Sequence, residues 1–362
     1  MLNEKLNLYI RSPLCTIATV HDYLLLNGYE IPLELVHLAG IRTLFLAGEM
    51  MFKNIPLSFV SVIENVVDIS IFQDLGFSLS YHSIDEILTS NDFKSFISHS
   101  DYRTLYSKTE RYNICPIHSI LVIEVSPSDS NNIIINDVVY NQSNKEIATF
   151  AEIPKKLLIT ANKAIVYPYL TNEVNYTINK IDKDLVQNNL EKRILKNLQN
   201  IIISQRQDIE VAVNKNAKMF YGKMGYAYIS DKIKNLTSPP LNLESIKQKK
   251  EYFIILMILR RFFLPQLGKG DFFRSELAKS LYFYGYTKSD EAIIQAAKQL
   301  NTTSEKWERL PQLLVVMARC ANERNINKIE ILGHEFIKIF QDIIEIENNV
   351  VETLSFSRLL NV

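Results

Sequence analysis

Hydrophobic spacing divides the chain into two regimes. Before about residue 169 short apolar runs keep changing period, whereas from Ile181 onward long stretches hold a helical repeat. In the first regime Ile17, Ala18, Val20, Leu24 and Leu25 recur at helical intervals from Cys15 until Gly28, which predicts a helix opened by Cys15. Pro32 to Gly40 predicts a second helix, with Pro in its first turn and Gly at its end. Arg42 to Phe52 is apolar without a clear period. Val60 to Phe72 reads as helix, Gly76 to His82 alternates like a strand, and Ser83 to Ile97 reads again as helix. Ser98 to Asn113 is polar and dense in Tyr and Arg, which reads as an ordinary surface loop with aromatic anchors, with a substrate-gating loop bordering the cleft as the alternative. His118 to Val125 and Asn132 to Tyr140 are apolar, β-branched and too short for helices, so they predict an antiparallel pair joined through Ser126 to Asn131.

In the second regime the expected helices are Lys183 to Val213, Asn242 to Leu264, Phe272 to Tyr284, Ser289 to Leu300, Thr303 to Ala321 and Lys328 to Asn348. Pro239-Pro240, Gly268-Lys269-Gly270 and Gly285 break them. The expected organisation is an α+β domain over residues 1–165, a linker within 162–179, and an all-α domain over 180–362 that covers or shapes a cleft.

Composition narrows the partners. Forty Lys and Arg against forty Asp and Glu leave no net charge, which gives no support to nucleic acid binding. No run of about eighteen apolar residues appears and Met1 to Ile10 has no signal-peptide core, so a cytoplasmic protein without a membrane segment is expected. Three scattered cysteines, Cys15, Cys115 and Cys320, lack CxxC spacing and argue against a disulfide framework or a zinc site; no cofactor is expected. Cys115 and Cys320 read as packing residues. The basic pairs and runs at Lys155-Lys156, Lys192-Arg193, Lys247 to Lys250 and Arg260-Arg261 could dock an acidic carrier, but such runs are more often solvated helix faces.

The candidate chemistry is a thiol, an imidazole and a carboxylate in the order Cys15, His118, Asp137. A helix N-terminus favours the thiolate, because its unpaired N–H groups and dipole face the sulfur. If the hairpin closes symmetrically, Val125 faces Asn132, Ile120 faces Asp137 and His118 faces Val139. His118 and Asp137 then share one sheet face as diagonal neighbours about 7 Å apart, and a one-residue slip would separate them. His118 would be the base and Asp137 its orienting acid. Asn136 could replace Asp137 but should point to the opposite face. His21 lies nearly opposite Cys15 in helical phase, and His37, His82, His99 and His334 have no partner that the sequence identifies. For an oxyanion, the Cys15 N–H is one donor; Tyr9, Arg11 and Ser12 are candidates for the second.

Early Cys15, the segment Gly28-Tyr29-Glu30-Ile31-Pro32-Leu33-Glu34, the His118 strand and the Asn136-Asp137 strand together resemble the papain-like N-terminal domain of the butirosin-biosynthesis acyltransferases, with the closthioamide amide synthetase as a relative. Gly270-Asp271-Phe272-Phe273-Arg274, Leu277 to Tyr284 and Glu305-Lys306-Trp307 are similar to the helical domain that follows in that family. The resemblance implies a papain-like catalytic domain and a cysteine-dependent acyltransferase. Its donor would be an acyl thioester on a carrier protein, its acceptor an amine, and its setting secondary-metabolite biosynthesis. The Gln that papain-like enzymes place before the nucleophile is missing from Asn7 to Ser12, which disfavours peptide hydrolysis more than attack on an activated thioester. A papain-like peptidase or thioesterase, and a binding or scaffold protein of the same fold, remain as rival readings.

Overall fold

The structure, a computed structural model, describes residues 15–52, 55–61, 67–90, 93–101, 104–105, 117–140, 146–164, 175–214, 217–238, 243–263 and 271–360. It is a mixed α/β protein with two antiparallel sheets and a helical C-terminal region. The chain divides into two compact units, residues 1–40 with 65–193 and residues 41–64 with 194–362.

In the first unit the helices are α1 (Cys15–Leu26), α2 (Leu33–Gly40), α3 (Val67–Asp74), α4 (Ile84–Thr89) and α5 (Lys155–Lys163). Helix α1 stops as its sequence predicts. Gly28 takes φ +87°, and the N–H groups of Gly28 and Tyr29 return to the carbonyls of Leu25 and Leu24, which satisfies the last turn. Helix α2 ends on Gly40, where any Cβ would lie 2.2 Å from Ile17 Cδ1, so glycine is what lets α2 close against α1.

The sheet of this unit runs β3 (Leu79–His82), β8 (Asn175–Ile178), β4 (Phe96–Asp101), β5 (Ile117–Val125), β6 (Asn132–Tyr140), β7 (Glu146–Pro154). One face is apolar: Phe96, Ile120, Val122, Ile133 and Ile135 pack with Ile84, Ile87 and Leu88 of α4 and Leu158 and Ala161 of α5. The other face carries α1, which packs on β4, β5 and β6 and touches α2 and α3.

Three expectations fail here. Ser98 to Asp101 is not loop but the second half of β4, and it is buried; the helix expected up to Ile97 ends at Thr89. Its polar groups hide the strand from pattern reading, yet each finds a partner inside: Ser98 Oγ and the His99 carbonyl accept from Asn162, and Asp101 Oδ1 accepts from Thr104. The span expected to be linker contains β8, which pairs with both β3 and β4.

In the second unit β1 (Leu46–Phe52), β2 (Ile55–Ser61), β9 (Ile209–Asn214) and β10 (Ala217–Tyr221) form a sheet in the order β2-β1-β10-β9. An all-α domain over 180–362 is therefore not what the chain forms. Ile209, Val211 and Val213 alternate with Glu210, Ala212 and Asn214, a period of two that the preceding α6 (Lys183–Arg206) masked in the sequence. The helices that follow are α7 (Gly222–Thr237), α8 (Ile246–Phe263), α9 (Arg274–Lys288), α10 (Glu291–Asn301), α11 (Ser304–Asn322) and α12 (Ile326–Leu354). Cys320 is buried in α11.

Their core closes on a charge. Arg274 and Glu347, both fully buried, meet at 2.6 Å and 2.9 Å; Trp307 Nε1 donates to Glu347 at 2.8 Å, and Tyr226 donates to its second oxygen. The guanidinium also reaches the carbonyls of Phe272 and Leu44, and lies over the Trp307 ring. Burial opposes the charge on Arg274, but Glu347 and Tyr226 hold it more firmly protonated than usual. Phe272 and Phe273 sit at φ 51° and 62°, a conformation unfavourable for aromatic residues that this anchor and the Asp271 cap hold in place. Among the described residues no helix is long and apolar enough to cross a membrane.

Candidate active site

Cys15 lies in α1, at the start of its described range. The helix is fixed to the sheet by polar contacts along one stripe. Thr16 Oγ1 lies 3.3 Å from Ser119 Oγ, Thr19 Oγ1 donates to the Ser119 carbonyl at 3.0 Å, and Asp22 Oδ2 accepts from Asn136 Nδ2 at 2.8 Å. Thr19, Asp22, Ser119 and Asn136 are buried. Helix α1 thus runs along β5 in the same sense, Thr16 and Thr19 lying at Ser119 and Asp22 further along, at Asn136. Cys15, Thr19 and Asp22 are spaced by four and three residues, which sets them on one side of the helix.

His118 is the second residue of β5 and stands opposite Ser100 of β4; Asp137 lies in β6, opposite Thr149 of β7. The hairpin does not close symmetrically. Val125 faces Ile133 rather than Asn132, and an irregularity between Val122 and Glu124 absorbs one residue. Beyond it, Val122↔Ile135 and Leu121↔Asn136 fall in the register expected from the sequence, the one in which position 120 stands opposite 137. Alternation then gives positions 118 and 137 the face of Ile120, Val122 and Ile135, and positions 119 and 136 the face of α1. The backbone brings 118 and 137 onto one face, and it brings the helix of Cys15 against their immediate neighbours. Asn136 lies on the α1 face, where its partner is Asp22.

The α1 face also holds two imidazole–carboxylate pairs that sequence reasoning passed over. His21 Nδ1 meets Asp22 Oδ1 at 3.0 Å, both buried. His99, directly opposite Ser119, meets Asp68 of α3 at 2.8 Å through Nε2, and Tyr176 of β8 donates to the same carboxylate oxygen at 2.5 Å. Burial opposes ionisation of Asp68, but the His99 imidazole, the Tyr176 hydroxyl and the nearby Ile69 N–H together hold its carboxyl below the ordinary range. Burial, reinforced by the Asp68 charge, pushes the Tyr176 phenol far up; burial alone lifts Tyr23, which packs nearby on Phe72, to about 12. Among the described residues His99 Nδ1, Asp68 Oδ1 and Asn136 Oδ1 have no hydrogen-bond partner. No sequence signal links His99 to a carboxylate thirty-one residues upstream.

Of the other expected features, Tyr102, Arg103, Tyr106, Arg111, Tyr112 and Cys115 lie outside the described residues, as do Tyr9, Arg11 and Ser12. Arg193 is no docking residue: it is buried, donating to the Ala39 and Ser70 carbonyls at 2.5 Å and 2.6 Å and pairing with Asp74. No protein-family model matches the chain, and no curated protein does.

Proposed function

We propose that this protein is a cysteine-dependent acyltransferase with a papain-like catalytic domain. Cys15 attacks an acyl thioester presented on a carrier protein, and an amine resolves the acyl-Cys15 intermediate into an amide, a step suited to secondary-metabolite assembly. His118 takes the thiol proton, returns it to the departing carrier thiol, and then accepts a proton from the amine; Asp137 orients the ring. The observation that carries the reading is the docking of α1, the helix that contains Cys15, along β5, where Thr16 meets Ser119, the residue next to His118. The Cys15 N–H at the helix end supplies one donor to the tetrahedral oxyanion. Because alternation gives position 118 the other sheet face, the reading requires the imidazole to come past the first residue of β5.

Product analysis tests it. With a butyryl N-acetylcysteamine thioester and butylamine, wild type should release N-butylbutyramide, and Cys15→Ala and His118→Ala should not. Free butyrate as the main product despite saturating amine would indicate a thioesterase instead. Full activity in both variants would remove the assignment.

A further inference from the structure

Amide formation makes a proton demand that hydrolysis does not. An amine is an ammonium ion near neutral pH, so it must lose one proton before it can attack and a second as the C–N bond forms and the C–S bond breaks. One of these protons restores the Cys15 thiol and the other leaves to solvent. A single imidazole, neutral when the acyl-enzyme stands ready, accepts only one at a time.

We propose that His99, held by Asp68, is the second proton acceptor and, with the free oxygen of Asp68, the binding point for the ammonium group of the acceptor; the proposal rests on Cys15 carrying the acyl group. The ring is fixed at Nε2 by Asp68 Oδ2, which also accepts from Tyr176. A ring that donates its Nε2–H to the carboxylate would, when neutral, present a lone pair at Nδ1. The side chains of His99 and Asp68 are 1% and 0% exposed, and each has one polar atom without a hydrogen-bond partner among the described residues. An unpartnered imidazole nitrogen and an unpartnered carboxylate oxygen, buried side by side, suit a cationic N–H donor, which is what an ammonium ion is.

Placement adds to this. Asp68 sits in the first turn of α3, and His99 stands opposite Ser119, the residue to which Thr16 and Thr19 of α1 are bonded. The two nitrogens of an imidazole diverge. Nε2 is directed to Asp68 of α3, and position 99 lies on the sheet face that α1 shares. Burial keeps water from the acyl-thioester, and it makes entry of the amine depend on local opening, so aminolysis is the slower half-reaction.

The two half-reactions are measured separately on the full-length protein, acylation by intact mass after mixing with the butyryl thioester, and aminolysis by decay of that adduct on adding butylamine. His99→Gln and Asp68→Asn should acylate at the wild-type rate and lose roughly 100-fold in aminolysis at pH 7. That defect should shrink as pH rises and free amine replaces ammonium. A loss spread equally over both half-reactions, or one that does not change with pH, overturns the proposal. If the variants fail to fold, wild type labelled with 15N-histidine decides: butylamine should shift the Nδ1 resonance of a single buried imidazole, and no shift at saturating amine overturns it. Absence of any adduct on wild-type Cys15 instead removes the acyltransferase reading itself.

Discussion

Two buried charge clusters, one in each unit, differ in how completely they are satisfied. Around Glu347 both carboxylate oxygens are engaged, by Arg274, Trp307 and Tyr226, and every branch of the guanidinium has an acceptor. Around Asp68 one carboxylate oxygen and one imidazole nitrogen stay open. A closed cluster fixes one packing arrangement of a core, since any alternative strands a charge. An open one forgoes hydrogen bonds that burial makes expensive to leave unmade, and such places are where chemistry concentrates. On that contrast the Glu347 cluster is architecture, and the Asp68 cluster is the one the proposal assigns to the site.

The contrast can be broken most severely at Arg274. Arg274→Met should cost about 3–5 kcal/mol in urea unfolding, because it leaves Glu347 buried and uncompensated. The pair Arg274→Met with Glu347→Leu should recover much of that loss; a double variant as unstable as the single one would show that the ion pair is not the cause. Asp68→Asn should cost less, about 1.5–3 kcal/mol, since it removes a charge-assisted bond from a cluster already incomplete. A loss equal to that of Arg274→Met would erase the distinction.

The Asp68 carboxyl also gives a pH signature. Its folded value lies below the ordinary one, so its ionised form contributes stability that is complete above the ordinary carboxylate range and is lost as pH falls through the folded value. Wild type should therefore weaken more steeply than Asp68→Asn as pH falls below about 4, measured by denaturant midpoint against pH. Parallel curves would contradict the direction of the shift. The smallest effect is expected on the apolar side of the sheet: Ser83 caps α4 by accepting from the Glu86 N–H at 3.2 Å while Glu86 bonds back to the Ser83 N–H at 3.1 Å. Ser83→Ala should cost about 1 kcal/mol and leave both half-reactions unchanged.

What the sequence revealed follows from which signals are local. Helix α1 was legible from its apolar spacing and Gly28, the β5–β6 pair from its β-branched runs, and the C-terminal helices from their long repeat. Strand β4 was not, because Ser98-His99-Ser100-Asp101 reads as loop until Asn162, Asp68 and Thr104 supply its partners. The β1–β2 hairpin looked like part of the first domain because its pairing strand β10 lies about 170 residues further on, as in Ala47↔Phe220. For the site, the register of the inner β5–β6 pairs, Val122↔Ile135 and Leu121↔Asn136, matched the expectation only because an irregularity offset an asymmetric turn. The position of α1 on the face opposite positions 118 and 137 could not be derived, since it depends on Thr16, Thr19 and Asp22 meeting Ser119 and Asn136 across a hundred residues. His99 was invisible for the same reason.

The most direct test of the account is whether Cys15 carries an acyl group. Intact-protein mass spectrometry after incubation with the butyryl N-acetylcysteamine thioester, without amine, should show one butyryl increment on wild type, mapped by proteolysis to Cys15, and none on Cys15→Ala. An increment of equal size on Cys15→Ala, or none on wild type with this thioester or with butyryl presented on a phosphopantetheinylated carrier protein, would contradict the central claim.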